Sequence, residues 1–364
     1  MSKRKNKPTK TTAPQAAQPV RPPRSTPAPA PRAQPAPRRW PLWQMGLAAL
    51  FVVVVGGLYY LWWRAYQPKT TQSTVAPALT VKWTVGRTDA CKRKPAFANG
   101  IGFTQNVGMK TDIEPQKGVL LVELDDQGRP GRSYQHPSWT QGGYLGPTVT
   151  DKFGSTYLFP IPWVNVLENP TAKQNIVYKI DTQTGVMAEL INLPAGGPLD
   201  ARNPFGLVGL AYDCDTNSLY ASSVAGSTPD QEAGRLFQID PTTAKIVSQR
   251  DNIDTFGSVV FNTAKGKRLY FGMARTSEVR SILLDDNGHF VGEPRAEFSL
   301  AGMGVHGDEK AQRLTIDANN ILHVRSLQFD FNLIAPSHQR RTLFDYSYDM
   351  NKDAWQLIKV TPIN

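Results

Sequence analysis

Short apolar runs that alternate residue by residue with polar positions fill the chain from about residue 79 to its end. Glycine, asparagine, aspartate and proline separate these runs. A period of two is typical of a half-buried β-strand, whereas an amphipathic helix repeats its apolar positions about every 3.6 residues. No long stretch of this region has the helical period, so the sequence predicts an all-β domain over residues 79–364.

Two kinds of strand–turn–strand segment alternate within this domain. The first kind occupies residues 146–159, 209–221, 258–271 and 313–324. The second kind occupies residues 119–128, 176–185, 235–243, 281–288 and 342–349, with turn aspartates at Asp125, Asp181, Asp240, Asp285 and Asp349. Two hairpins per repeat, at a spacing of roughly 45–60 residues, are typical of the four-stranded blades of a β-propeller.

These double-hairpin repeats resemble the β-propeller superfamily, including its NHL and gluconolactonase-like types, over roughly residues 80–364. The resemblance implies a ring of blades around a central channel, in which each blade buries the apolar faces of its neighbours. We expect five to six four-stranded blades. The strand at residues 79–85 either closes the ring by pairing with the last blade near residues 355–360 or belongs to a degenerate sixth blade. A β-sandwich is the alternative architecture.

The longest apolar segment lies upstream of the repeats. Residues 42–63 carry no charge and would be roughly 33 Å long as a helix, enough to cross a hydrocarbon core of about 30 Å. Trp and Tyr residues mark both ends, and the ten Lys and Arg residues before residue 40 place the N-terminus in the cytoplasm. We therefore predict a transmembrane signal-anchor helix at residues 41–64, because a cleaved signal peptide, the alternative, has a shorter apolar region.

Positive charge is concentrated in the segment before that helix. Residues 1–39 hold ten of the 41 basic residues and none of the 30 acidic ones, so 31 basic residues face 30 acidic ones elsewhere. A Pro- and Ala-rich segment of this composition cannot bury enough apolar surface to fold. Residues 1–40 are predicted to be a disordered cytoplasmic tail, and residues 65–78 a linker. Membrane topology explains the charge, so nucleic acid is not an expected partner.

Cys91 and Cys214 are the two cysteines of the chain, and both belong to the predicted extracytoplasmic domain, where disulfides persist. The sequence leaves open a bond between them or two unpaired thiols, because it does not fix the distance between their Cα atoms. Residues 213–217 open like a calcium-binding loop, but Ser218 and Val224 replace the glycine and glutamate that such a loop needs. We interpret this segment as an ordinary hairpin turn.

The propeller resemblance directs attention to the residues just before each inner strand, which would ring one mouth of the central channel. These residues are Asn99, Tyr144, Asn203, Asp254, His306 and Asp308. In gluconolactonase-like propellers, Glu, Asn and Asp side chains from different blades hold a calcium ion at this position. The resemblance therefore implies a calcium site here, and a solvated loop cluster without a metal is the alternative.

The chain lacks the short motifs of several common catalytic and nucleotide sites: HExxH, Gly-x-Ser-x-Gly, Walker A and the dinucleotide fingerprint. The sequence therefore predicts a membrane-tethered extracytoplasmic module that binds or scaffolds a protein or glycan partner. It predicts a bilayer contact through residues 42–63 and no cofactor. The alternative is a calcium-dependent hydrolase of the lactonase or esterase type, with its site in the central channel.

Overall fold

Five antiparallel β-sheets follow one another along the chain, and each coincides with a predicted repeat. The computed structural model describes residues 83–104, 106–111, 117–161, 167–333 and 340–363. The predicted tail, membrane helix and linker, residues 1–40, 41–64 and 65–78, lie outside these ranges. Within the ranges, no helix is long and apolar enough to cross a membrane.

The strands are short and closely spaced. A two-residue strand, β1 (Gly86–Arg87), comes first, and helix α1 (Phe97–Gly100) follows it. The first sheet contains β2 (Asn106–Lys110), β3 (Leu120–Leu124) and β4 (Pro130–Tyr134), and the second contains β5 (Val149–Thr150), β6 (Thr156–Leu158), β7 (Ile176–Ile180) and β8 (Met187–Asn192). The third contains β9 (Leu207–Asp213), β10 (Ser218–Ser223), β11 (Arg235–Asp240) and β12 (Lys245–Asp251). The fourth contains β13 (Thr255–Thr263), β14 (Gly266–Met273), β15 (Glu278–Leu284) and β16 (Phe290–Ser299), and the fifth contains β17 (Lys310–Ile316), β18 (Ile321–Leu327), β19 (Arg341–Asp349) and β20 (Ala354–Ile363).

From β5 to β20, each sheet orders its four strands as the chain does, with antiparallel neighbours. Four strands in such a meander form one propeller blade, so the five sheets are blades one to five. The protein is a five-bladed β-propeller, which confirms the predicted all-β fold at the lower of the two expected blade numbers. In the described part of the first blade there are three strands, β2 to β4, and none of them occupies the innermost position.

The described end of the segment at residues 79–85 differs from the expected strand. Residues 83–85, its described end, form bends, and pairing begins one residue later at β1. Strand β1 joins the fourth blade, where Gly86 pairs with Asn262 and Arg87 with Phe261. The ring of Trp355, in the last blade, instead contacts the rings of Phe261 and Tyr270 at centroid distances of 5.0 and 5.8 Å. Val85, at the end of the segment, packs against the same apolar cluster without pairing with the last blade.

Apolar side chains fill the spaces between successive blades. Tyr157 and Phe159 of the second blade pack with Leu210 of the third. Phe261 of the fourth blade packs in the same way with Phe344 of the fifth. Because successive side chains of a strand point to opposite faces, each central blade offers one apolar face to either neighbour. Strands of the central blades are consequently buried on both faces, as β13 is along its whole length.

Glycine lets the inner strands approach one another closely. A Cβ atom added at Gly209 would lie 2.7 Å from the carbonyl oxygen of Phe256, and one added at Gly257 would lie 2.5 Å from that of Gln312. Both distances are far shorter than the roughly 3.5–4.0 Å of an optimal carbon contact. Strands β9, β13 and β17 therefore run backbone against backbone around the centre of the ring.

The turn aspartates that revealed the repeats bind the backbone of their own turns. The carboxylate of Asp125 accepts hydrogen bonds from the backbone N–H groups of Gln127 and Arg129, each at 2.9 Å. The hydrogen bond from the Arg129 backbone lowers the pKa of Asp125, and that from the Thr184 backbone lowers the pKa of Asp181. This local bonding is why aspartate recurs in hairpin turns.

Candidate functional site

A cavity of about 250 Å³ lies at the centre of the ring. The inner strands of blades two to five, β5, β9, β13 and β17, all contribute to its wall. Among the residues that the structure describes, none of those lining the cavity comes from β2, β3 or β4. The described wall of the cavity therefore belongs to blades two to five and to Asp89 and Lys92, which precede them.

The two ends of the cavity differ in chemistry. At the end where the inner strands begin, the rings of Phe205 and Phe256 contact that of Phe329 at centroid distances of 5.2 and 4.6 Å. Asp89 and Lys92 line the opposite end, beyond β1. One end is therefore an aromatic wall and the other is charged.

Three arginines of the fifth blade line the cavity, and we call Arg313, Arg325 and Arg341 the arginine row. Arg313 and Arg325 are directly opposite each other on β17 and β18. Arg325 is opposite Leu343 on β19, so Arg341, two residues before Leu343, is its diagonal neighbour on the same face. Side chains that are directly opposite have Cβ atoms about 4.5–5.5 Å apart, and like charges in such a pair are destabilising.

Two members of this row, Arg313 and Arg325, have no charge partner among the described residues. The side chains of Arg313 and Arg325 form no ion pair or hydrogen bond with any residue in the described ranges, and the Nε of Arg325 is buried without a hydrogen-bond partner. Asp345, a carboxylate of the neighbouring strand, is paired with His323, which is on the same face as Arg325. His323 Nδ1 lies 2.7 Å from Asp345 Oδ1. Leaving a buried donor unpaired costs about 1–3 kcal/mol. Arg313 and Arg325 therefore bring unmet positive charge to the wall of the cavity.

Two of the predicted mouth residues, Asn203 and Asp254, meet at Ser227. The Asn203 amide donates to the backbone oxygens of Val224 and Ser227 at 2.8 and 2.9 Å, and its Oδ1 accepts from Phe205 N at 3.0 Å. The Ser227 hydroxyl in turn donates to Asp254. These contacts hold the loop between β10 and β11 in place.

Asp254 is fully buried and both of its oxygens are bound. Oδ1 accepts from Gly234 N at 2.9 Å as well as from the Ser227 hydroxyl, and Oδ2 accepts from Arg275 Nε at 2.6 Å. Burial raises the pKa of Asp254, although the Ser227 hydroxyl and the Arg275 charge oppose that shift. The side-chain oxygens of Asn203 and Asp254 therefore accept hydrogen bonds from the protein itself.

The other four mouth residues lie apart from this pair. His306 donates its backbone N–H to Glu309 Oε1 at 2.9 Å, and Asp308 Oδ1 accepts from Gln328 Nε2 at 3.2 Å. Asn99 lies exposed on α1, and Tyr144 donates its backbone N–H to an asparagine side chain of its own blade. None of the six predicted residues lines the central cavity.

Metal ligands do not converge in the part of the chain that the structure describes, where no group of three or more His, Cys, Asp and Glu side chains could hold an ion. The turn that opens like a calcium loop instead receives a lysine. Lys267 Nζ lies 2.6 Å from Asp213 Oδ2 and 2.8 Å from Asp215 Oδ2. The ammonium group occupies the position between these two carboxylates, in keeping with the interpretation of residues 213–217 as a hairpin turn.

Residues 86–97, which we call the N-terminal strap, cross one end of the ring. A disulfide joins Cys91 to Cys214, 123 residues later. Thr88 O accepts from Cys214 N at 3.0 Å, and Phe97 N donates to Thr182 O at 2.8 Å. The strap therefore runs from β1 on the fourth blade, past the third, to the second.

The fold and the site define the class of the protein as a five-bladed β-propeller with a basic central cavity.

No protein-family model and no curated protein matches the chain. Solved structures with a similar trace include a functionally unknown protein from Desulfotomaculum acetoxidans, 11% identical, with a TM-score of 0.39 over 70% of this chain and 80% of that one. The PQQ-bound aldose sugar dehydrogenase of Streptomyces coelicolor is 15% identical, with a TM-score of 0.39 over 69% of this chain and 77% of that one. A candidate gluconolactonase is 14% identical, with a TM-score of 0.37 over 72% and 91%. The strand order, rather than these distant likenesses, establishes the fold.

Proposed function

We propose that this protein is a membrane-tethered extracytoplasmic β-propeller that binds a ligand carried by a protein or glycan partner in its central cavity. The observation that carries the proposal is the arginine row, whose facing guanidinium groups have no partner among the described residues. Burying like charges opposite each other is costly, so a bound ligand of opposite charge is the simplest reason to keep them. A binding role without catalysis is sufficient to account for these facing arginines.

Two features support the proposed location. The uncharged segment at residues 42–63 has the length of a membrane helix, and the cations before it favour a cytoplasmic N-terminus. The Cys91–Cys214 disulfide fits an oxidising compartment outside the cytoplasm. Both point to the propeller lying beyond the bilayer.

Labelling of intact cells or spheroplasts with a membrane-impermeant amine reagent tests this topology. Lys265 and Lys352, each with a side chain 70% exposed, should be labelled at once. Lys3 and Lys10 in the tail should react only after the membrane is permeabilised, because the bilayer shields them. The sites are read by peptide mass spectrometry. Labelling of the tail lysines alone in intact cells would show that the topology is inverted and would contradict the proposal.

Calcium binding distinguishes this proposal from the hydrolase alternative. Replacing Asn203 by Ala removes the amide that holds two buried carbonyls and should cost about 1–3 kcal/mol of stability. Because Asn203 and Asp254 serve the loop rather than an ion, Asn203→Ala and Asp254→Ala should lower the melting temperature equally in calcium and in chelator. The exposed Asn351→Ala is the control.

The opposite pattern would favour the hydrolase. Calcium would then raise the melting temperature of the unmodified protein, both alanine variants would lose that gain, and the protein would turn over members of a lactone and aryl-ester panel. The melting curves and the panel use the full chain in detergent. They therefore report on the protein with its predicted membrane segment present.

A further inference from the structure

We infer that the arginine row binds the acidic group of a single sugar-sized ring, a carboxylate or phosphate on a monosaccharide or on the end of a glycan. This inference rests on the proposed binding function and names the class of ligand. Arginine presents a planar fork of donors that matches carboxylate and phosphate oxygens, so two guanidinium groups side by side suit one such anion. Arg313 and Arg325, opposite each other in register, offer that arrangement.

The size of the cavity limits what accompanies the anion. Its volume of about 250 Å³ is below the range of roughly 300–1,000 Å³ that is usual for drug-sized ligands. An aromatic wall closes one end and charged residues of the strap line the other. A single ring with its acidic substituent fits this space better than a length of polymer.

The remaining wall has the chemistry that a hydroxylated ring requires. The amide side chains of Gln312, Gln328 and Asn332 line the cavity together with the arginine row. Amides donate and accept hydrogen bonds, as hydroxyl groups do, while Phe205 and Phe329 supply an apolar surface for the carbon face of the ring. An acidic peptide end could use the same arginines and amides, but the small volume and the apolar wall suit a single ring, so the acidic sugar is favoured.

The chain itself offers few carboxylates that could neutralise the row instead. Outside the described residues, the acidic side chains are Asp112 and Glu114 alone. Residues 334–339, which end two residues before Arg341, contain no Asp or Glu. Among acidic side chains outside the described residues, an internal partner therefore has two named candidates, which a double variant removes.

Calorimetric titration of the full chain in detergent tests the inference. The probes are glucuronate and glucose 6-phosphate, with glucose as the neutral control and a short peptide with a free C-terminal carboxylate as the alternative. We expect the two acidic sugars to bind and glucose not to bind. Arg325→Gln should weaken the binding roughly 10- to 100-fold, because it removes hydrogen bonds to a charged group, and added salt should weaken it further. Arg129→Gln, at a side chain 70% exposed in a turn of the first blade, should change nothing.

A melting curve separates a ligand-binding role from a structural one. Without ligand, Arg325→Gln should melt at the same or a higher temperature, because it removes an unpaired buried donor and a like-charge contact. A lower melting temperature together with unchanged sugar affinity would make Arg325 structural and overturn the inference.

Three further outcomes would also overturn it. If glucose bound as tightly as glucuronate, the negative charge of the ligand would have no role in binding. Binding by the Asp112→Asn/Glu114→Gln variant alone would show that the row is an internal ion-pair site. Arg325-dependent binding of the peptide but of neither sugar would reject the sugar while leaving the binding function intact. The proposed binding function itself fails separately, if the lactone and ester panel shows calcium-dependent turnover.

Discussion

Replacing Lys267 by Met will lower the free energy of unfolding by about 3–5 kcal/mol, the cost of leaving a buried charge without its partner. The Lys267 side chain is 1% exposed and that of Asp213 is fully buried, so little water reaches the carboxylate that the variant leaves behind. The variant also loses the contact between Nζ and the Trp83 ring, 4.4 Å from its centroid. In a domain of this size, the loss corresponds to a fall in melting temperature of roughly 6–20 °C.

The matched control is Lys265→Met, two residues earlier in the same hairpin, where the side chain is 70% exposed. It should change stability by no more than about 0.5 kcal/mol. Adding Asp213→Asn to Lys267→Met should recover part of the loss, because a buried ion pair replaced at both ends is often nearly neutral. Melting curves of the three variants decide the matter: equal stability of Lys267→Met and Lys265→Met would show that the buried pair contributes nothing.

Removing the disulfide will have the second large effect. The paired change Cys91→Ser/Cys214→Ser should lower the free energy of unfolding by about 4–5 kcal/mol, as the loop-entropy relation gives for a crosslink spanning 123 residues. The strap keeps its backbone hydrogen bonds to the third and second blades, so the domain should still fold. Chemical unfolding with and without reductant measures the difference.

Reductant provides the internal control for this measurement. It should destabilise the unmodified protein by the same amount as the double serine change, and it should leave the double variant unaffected. Thiol labelling of unfolded protein that finds two free cysteines before any reduction would contradict the prediction, and it would also weaken the argument for an oxidising compartment.

The architecture was predictable because it depends on local signals. Alternating apolar positions and turn aspartates such as Asp181 identify each hairpin from its own residues, and the structure places a hairpin at each of these positions. The pairing of β1 was not predictable in the same way. Its partner Asn262 lies far along the chain, and nothing in two residues of strand specifies which sheet edge they will join.

The site was less accessible to sequence reasoning than the fold. Arg313 and Arg325 lie at alternating positions of ordinary strands, and their convergence requires the register between β17 and β18. Lys267 resembles an exposed turn residue until the carboxylates of a distant hairpin are placed beside it. The sequence predicted that Asn203 and Asp254 precede an inner strand, but it did not predict the direction in which their side chains point. Side-chain direction decides whether such a residue lines a channel or fastens a loop.

The N-terminal strap has a consequence for biosynthesis, because it contacts blades in the reverse of the order in which a ribosome makes them. Gly86 cannot pair until Asn262 has been synthesised, 176 residues later. At 5–20 residues per second, this pairing is delayed by roughly ten seconds or more. Cys91 stays a free thiol during much of that interval, until Cys214 follows it. The start of the domain is therefore among the last parts to become ordered, and a nascent chain that stalls before its third blade would leave a reactive cysteine exposed to exchange.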